Sequence, residues 1–330
     1  MKKLHVPVIL LTFSLAFFPV CAKKPSAPTA GTAKAEDMLN LIPKDVNGVI
    51  AIDIHRAMSA ELIDKFLKEE KAYENYQKLV EETGIDPKKD IYLIVGGLTG
   101  DIAKAEKKAG AEGVFLINLK YDKETLLNKI KKEEAELLEE DYNGITIYSP
   151  PDKVKKPVGA FLDDSNIVLG SEKDVKVVID LYQNKGENVL ANENLAAIIE
   201  KTNKDALFWA AILFPPETMQ KVSAENPMLK TLETVTSTSI YFDYKDKNIL
   251  ADIKVISRDE AKNKDIVNLL NGLKAMGSMA VTEDPNIGEL LDSIEITSSA
   301  DAVQIHASIP EQLIEKLKKK KEKAEEVESY

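Results

Sequence analysis

Asp53 and His55 are the two residues whose types and spacing come nearest to a catalytic pair. They lie two positions apart at the end of an apolar run, residues 49–54, and a strand would project both side chains to one face. A carboxylate that orients an imidazole is a component of hydrolase active sites. The chain has no Gly-x-Ser-x-Gly motif to supply a nucleophile. Solvated polar residues at a strand end are therefore favoured, and a hydrolase that uses Asp53 and His55 is the alternative.

A cluster of glycines from Gly96 to Gly100 follows a second apolar run, where a nucleotide-binding loop would lie. The cluster lacks the Gly-Lys-Ser/Thr ending of a P-loop and the spacing of a dinucleotide fingerprint. The pattern indicates a turn rather than a cofactor site.

Candidate metal ligands are also explained without a metal. Asp163, Asp164 and Asn166 offer oxygen atoms, but they lack the twelve-residue loop of a calcium site, and a hairpin turn accounts for them. His306 alternates with apolar residues, so we expect it on the polar face of a strand, with no second histidine or cysteine beside it. The aromatic side chains, including Trp209, are explained by core packing. We predict no catalytic, cofactor or metal site.

The N-terminus predicts export. A short basic start precedes a mostly apolar run, residues 6–20, which has the length of a signal peptide and is too short for a confident membrane span. The single cysteine, Cys21, ends this run and is the candidate lipid-bearing residue of a lipoprotein. Val20 and Phe18 fit a lipobox poorly, and ordinary cleavage that leaves Lys23 first is the alternative. Residues 23–36 predict a flexible tether.

Composition excludes several classes. The chain has 330 residues, 44% hydrophobic and 30% charged, which is typical of a folded protein and not of a disordered one. A net charge of −11 argues against a nucleic-acid partner. Arg56 and Arg258 are the only arginines, so a dedicated phosphate-binding surface is not expected. One cysteine permits no internal disulfide, and core packing must stabilise the fold.

The pattern of the first folded segment, residues 37–152, is strand, helix, strand, strand, helix, strand. One long amphipathic helix is predicted from Leu62 to Val80, between the strands at residues 49–54 and 91–95. This order is that of a ferredoxin-like sandwich.

A proline-rich stretch near Pro150 and Pro151 predicts a domain boundary. The second segment, residues 153–317, contains three hairpins with helices between them, and residues 318–330 form a charged tail. We predict an α+β fold of two related halves, each a mainly antiparallel sheet with helices packed on one face.

Several short stretches resemble a group of exported bacterial envelope proteins or lipoproteins of unknown function. They are Leu41-Ile42-Pro43-Lys44-Asp45, Gly84-Ile85-Asp86-Pro87, Gly159-Ala160-Phe161 and Ile167-Val168-Leu169-Gly170-Ser171. These are packing and turn residues, so the resemblance implies fold and location, and it carries over no catalytic residue.

These observations together predict a non-catalytic binding or structural protein of the bacterial cell envelope. We expect it at the periplasmic face of a membrane, tethered through Cys21, with an envelope protein or the membrane surface as partner. A soluble periplasmic small-solute-binding protein is the second alternative.

Overall fold

The computed structural model describes residues 27–100, 113–133, 136–152, 157–280, 285–299 and 301–328. Its centre is one antiparallel sheet of twelve strands. The strands are β1 (Gly48–Asp53), β2 (Ile91–Leu98), β3 (Gly113–Leu119), β4 (Leu138–Tyr142), β5 (Ile145–Ser149), β6 (Val158–Phe161), β7 (Asn166–Gly170), β8 (Phe208–Leu213), β9 (Val235–Lys245), β10 (Asn248–Ser257), β11 (Ile294–Ser298) and β12 (Val303–Pro310).

Eleven α-helices lie in the described part of the chain, with three short 3-10 segments at Val189–Ala191, Pro227–Thr234 and Glu260–Lys262. The helices are α1 (Ala35–Leu39), α2 (Ile54–Ser59), α3 (Glu61–Phe66), α4 (Glu70–Thr83), α5 (Lys123–Glu133), α6 (Glu172–Tyr182), α7 (Glu193–Lys201), α8 (Pro216–Glu225), α9 (Asn263–Ala280), α10 (Pro285–Asp292) and α11 (Glu311–Glu328). The predicted α+β class with an antiparallel sheet is confirmed.

The strand order across the sheet is β11-β12-β10-β9-β8-β1-β2-β3-β7-β6-β5-β4. The ferredoxin-like order predicted for the N-terminal half is therefore wrong, because a split βαβ unit places another strand between two parallel strands, whereas β1 pairs directly with β2 and is antiparallel to it. The predicted long helix is divided into α2, α3 and α4, with extended backbone at Ala60 and Glu69. This connection returns the chain to the sheet end at which β1 finishes.

The predicted boundary near residue 152 does not divide the sheet. Strand β7, from the second predicted segment, pairs with β3, and β8 pairs with β1. One buried cluster contains residues from both segments, such as Val95 and Ile179. Both segments therefore contribute to one sheet and one main core.

Helices cover both faces of the sheet, not one face as predicted. Alternate strand residues, including Val49, Leu116 and Trp209, face α1, α6 and α7, and we call this side the core face. On the second face, Ile167 lies in a cluster with Leu126 of α5. Further along that face, Val303 of β12 lies in a cluster with Ile266 of α9. The large apolar side chains on both sides explain why the fold needs no disulfide.

Candidate functional site

Asp53 and His55, the candidate pair of the hydrolase alternative, contact different neighbours. Helix α2 begins at Ile54, so the two residues no longer alternate as strand residues do. Asp53 caps this helix, and its Oδ1 accepts a hydrogen bond from the backbone N–H of Arg56 at 2.9 Å. His55 is exposed, and its ring centroid lies 5.4 Å from that of Tyr92. The carboxylate therefore serves the helix start and Arg56, and the imidazole is directed to a different neighbour.

Arg56 joins three acidic residues at this end of the sheet. Its Nη1 donates to the carbonyl oxygen of Asp205 at 2.7 Å and lies 3.7 Å from Asp53 Oδ2. Its Nη2 lies 3.5 Å from Asp243 Oδ1. Since Asp243 belongs to β9 and Asp53 to β1, this arginine connects the two strands that lie on either side of β8.

A small cavity of about 160 Å³ lies beside Asp53 and Arg56, and we call it the Trp209 cavity. Residues 33–36, residues 204–206, Ala51, Leu93 and Trp209 complete its lining. Trp209 is only 1% exposed, and its Nε1 has no hydrogen-bond partner. The sequence pattern correctly predicted Trp209 as a packed residue but gave no sign of the unpaired donor, because its position depends on chain segments far apart in sequence.

Two buried asparagines hold the N-terminal segment against the sheet. Asn118 Nδ2 and Asn166 Nδ2 donate to the carbonyl oxygen of Pro28 at 3.1 and 2.9 Å, and Asn118 Oδ1 accepts from the backbone N–H of Gly31 at 3.2 Å. Asn118 also donates to Asn166 Oδ1 at 2.9 Å. We call these two asparagines with residues 27–33 the N-terminal latch. Residues 27–36, predicted as part of a flexible tether, are packed on the body.

The turn that contains Asp163 and Asp164 stabilises this latch. Asp163 accepts hydrogen bonds from Asn166 Nδ2, at 2.8 Å to Oδ1, and from the backbone N–H of Ser165 at 2.8 Å. Tyr182 donates to Asp163 Oδ2 at 3.4 Å, and burial, followed by the charge of Asp163, raises the pKa of this tyrosine. The carboxylate is thus engaged within a hairpin turn, as the sequence predicted.

The glycine cluster is a packing feature and not a phosphate loop. Gly96 and Gly97 lie inside β2. A Cβ atom on Gly97 would lie 2.8 Å from Val46 Cγ1 and 2.9 Å from Ile42 Cγ2. The glycine is required by the close approach of the chain before β1.

His306 lies on the core-face side of β12, in register with Asp252 of β10, and its side chain is 44% exposed. Its Nδ1 is 3.6 Å from Asp252 Oδ2, which accepts a hydrogen bond from Gln304 at 2.7 Å. Within the described ranges, no group of three or more histidine, cysteine, aspartate or glutamate residues could hold a metal ion.

Two clefts on the surface of the folded chain are larger than the Trp209 cavity. One, of about 580 Å³, lies between the N-terminal latch, Asn40 and the end of α6 at Tyr182. The other, of about 620 Å³, lies between α7 and strands β8 and β9, beside Asn47 and Phe214. Their volumes fall in the range of small-molecule sites.

A family model described as "Protein of unknown function (DUF3352)" matches residues 8–322. The chain belongs to this family. The sequence pattern predicted a resemblance to proteins of unknown function, and the function of this family is also unknown. None of the curated proteins compared matches the chain.

Solved structures of TP0453 share a distant likeness with this member of the family. Crystal form III has 12% sequence identity and a TM-score of 0.45, with 84% of this chain and 95% of that chain covered. Crystal form I has 10% identity and a TM-score of 0.43, with 84% and 94% covered. Likeness at this level transfers no function. Among the described helices, none is long and apolar enough to cross a membrane.

Proposed function

We propose that this protein is a non-catalytic binding protein of the bacterial cell envelope, exported and tethered to the periplasmic face of a membrane by a lipid on Cys21. The observation that carries the proposal is the N-terminal latch. A lipid on Cys21 would hold the body at the membrane through the covalent chain, and the free length of that chain sets how far the body can move away. Two buried asparagines shorten the free length by fixing the chain at Pro28 and Gly31.

The latch limits the distance between the body and the membrane. Pro28 lies seven positions after Cys21, and an extended chain of that length spans at most about 25 Å. The sheet end that carries Asn118 and Asn166 would therefore lie close to the lipid headgroups. Cys21 itself is outside the described residues.

Binding is favoured over catalysis by the contacts of the candidate residues. The Asp53 carboxylate caps α2 and lies beside Arg56, while His55 lies against Tyr92. The concave sites of about 160, 580 and 620 Å³ offer room for ligands. The same clefts favour the second candidate, a soluble periplasmic small-solute-binding protein whose mature chain starts at Lys23.

Metabolic labelling with an alkyne-tagged fatty acid separates these two proposals. We expect the wild-type protein, expressed with its own N-terminus in a bacterial host, to carry the label, and Cys21→Ser to lose it. Ser26→Ala is a matched control that leaves Cys21 in place and should stay labelled. An unlabelled wild-type protein that begins at Lys23 would reject the tether and support the soluble alternative.

A further inference from the structure

The middle of the second face of the sheet, between the clusters beneath α5 and α9, is apolar. Strand alternation places two neighbouring cross-strand rows there. One row contains Ile50, Ile240 and Ile253, and the other contains Ile52, Phe208 and Phe242. Every position of both rows from β2 to β12 is an apolar residue. We call the six named side chains the apolar floor.

The apolar floor is open to solvent. Among the described residues, none of the six side chains belongs to a buried cluster, and none is fully buried. Phe242 is 41% exposed, although its ring centroid lies only 5.6 Å from that of Phe208. On the core face of the same sheet, Val49 and Trp209 are 0% and 1% exposed. A contiguous exposed apolar surface of this kind indicates a site for a ligand, a partner or a membrane.

Helix α9 forms one side of the floor. Lys274 lies on one flank of this helix and donates to the carbonyl oxygen of Ile294, in the edge strand β11, at 2.7 Å. The helical period places Leu269, Leu273 and Met276 on the other flank, which therefore faces the middle of the sheet. Leu273 and Met276 are 38% and 58% exposed. We call the apolar floor and these three side chains the apolar trough.

The chemistry of the trough favours an aliphatic ligand. The side chains of the floor have no hydrogen-bonding atoms, and each of the strands β1, β8, β9 and β10 is paired with a neighbour on both sides. An extended peptide laid on this surface would lose hydrogen bonds to water without gaining partners, which is unfavourable. An acyl chain buries only methylene groups and benefits from each of them.

The dimensions of the trough also suit an acyl chain. Between β2 and β10 the sheet covers four strand spacings, about 19 Å, which is comparable with the length of a long acyl chain. Met276 can adjust to chains of different shape, because the methionine side chain is unbranched and flexible.

We propose that the apolar trough binds the acyl chains of a phospholipid from the adjacent membrane, with the headgroup left in water at the open side. The proposal deepens the proposed binding function, because it names the class of ligand. It rests on that function for the source of the phospholipid, and it rests on the trough alone for the binding surface. It does not require a lipid on Cys21.

Uptake of lipid from vesicles tests this proposal. The mature chain with Cys21→Ser is incubated with vesicles of phosphatidylethanolamine and phosphatidylglycerol that contain radiolabelled phosphatidylethanolamine, and it is then separated from them by gel filtration. We expect labelled lipid to elute with the protein. Protein that elutes without label would overturn the proposal. So would protein that stays on intact vesicles, which would indicate docking on the membrane surface, or a lipid-free dimer, which would assign the trough to a second copy.

Two variants locate the bound lipid. Phe242→Asp on the floor and Met276→Asp on α9 each introduce a charge at an exposed position, and we expect at least fivefold less labelled lipid with either. Leu190→Asp is the matched control, because Leu190 is 44% exposed and lies outside the trough. It should take up lipid as the wild type does, and circular dichroism verifies that all three variants fold. Wild-type uptake by Phe242→Asp, or an equal loss in Leu190→Asp, would overturn the proposal.

The dependence on chain length tests the aliphatic character of the site. Lysophosphatidylglycerols of increasing chain length compete with the labelled lipid, and we expect affinity to rise at least about threefold for each two added methylene groups. Affinity that does not change with chain length would contradict an acyl-chain site. Because Cys21→Ser carries no anchor, failure of lipid uptake and failure of fatty-acid labelling at Cys21 are distinguishable.

Discussion

At the scale of single residues, the side-chain amides of Asn118 and Asn166 are the critical contacts of the N-terminal latch. Asn118→Ala removes the acceptor of the Gly31 N–H and leaves the buried Oδ1 of Asn166 without the amide donor of Asn118, and we expect a loss of about 2 kcal/mol in the free energy of unfolding. Urea unfolding measures this loss. Asn271→Ala, at an exposed position of α9, is the control and should change stability little. Equal stabilities of the two variants would contradict the latch.

Gly97 tests whether the glycine cluster is a packing feature. A Cβ atom at this position would lie 2.8 Å from Val46 Cγ1, so Gly97→Ala should destabilise the fold by about 1–3 kcal/mol. Gly272 has no atom within 4 Å of an added Cβ and lies in α9. Gly272→Ala should therefore stabilise the protein by up to about 1 kcal/mol. If thermal unfolding shows the same midpoint for both variants, the packing account of Gly97 is wrong.

Residue-level prediction from sequence succeeded where it depended on strand alternation and failed where it depended on a helix start. Alternation correctly placed His306 on the side of β12 that faces away from the apolar cluster of Val303 and Ile266, and its side chain is 44% exposed. It also offered a signal for Asn118, which shares strand parity with the buried Val114 and Leu116. The partners of Asn118 were not predictable, because Pro28 lies 90 positions away. The expectation that Asp53 and His55 project to one face of a strand was wrong, because α2 begins at Ile54.

At the scale of elements, α11 is fixed to α3 and β9 through one carboxylate. Glu311 accepts hydrogen bonds from Lys65 of α3 and from Tyr244 of β9, and these bonds lower the pKa of Glu311. The hydrogen bond to Glu311, together with burial, raises the pKa of Tyr244 to about 12. Tyr244 thus remains a donor at neutral pH. The charged tail predicted from residue 318 begins inside this helix, and Lys318 lies over the ring of Phe66.

The acid dependence of stability follows from this cluster. Because the folded pKa of Glu311 lies below its unfolded value of about 4.3, its contribution is complete above that pH and is lost as pH falls through the folded pKa. We expect the wild type to lose more stability between pH 7 and pH 3 than Glu311→Gln, measured by urea unfolding. Glu200→Gln, at an exposed position of α7, should keep the wild-type pH dependence. A parallel pH dependence for Glu311→Gln and wild type would contradict the cluster.

The order of most elements was predictable from the sequence, but strand neighbours were not. Strand β4 was missed, because the prediction for residues 37–152 passed from the second helix directly to the last strand. The hairpins β6–β7, β9–β10 and β11–β12 follow from turn residues and apolar runs, and all three form. The pairing of β3 with β7 and of β1 with β8 depends on long-range contacts that carry no local signal. Both pairings overturn the idea of two separate sheets.

At the scale of the whole molecule, the continuous sheet predicts that the two halves fold together. A fragment of residues 153–330 would expose the edges of β7 and β8 that pair with β3 and β1. We expect this fragment to show no cooperative thermal transition by circular dichroism, and the full chain to show one. A fragment with a sharp transition of its own would contradict this single-sheet account.

The intact mass of the mature protein, purified separately from membrane and soluble fractions of its native cell, tests the proposed tether most directly. The account predicts a membrane-fraction protein whose first residue is Cys21 and whose mass includes acyl chains. A protein found in the soluble fraction, unmodified and beginning at Lys23, would contradict the tether.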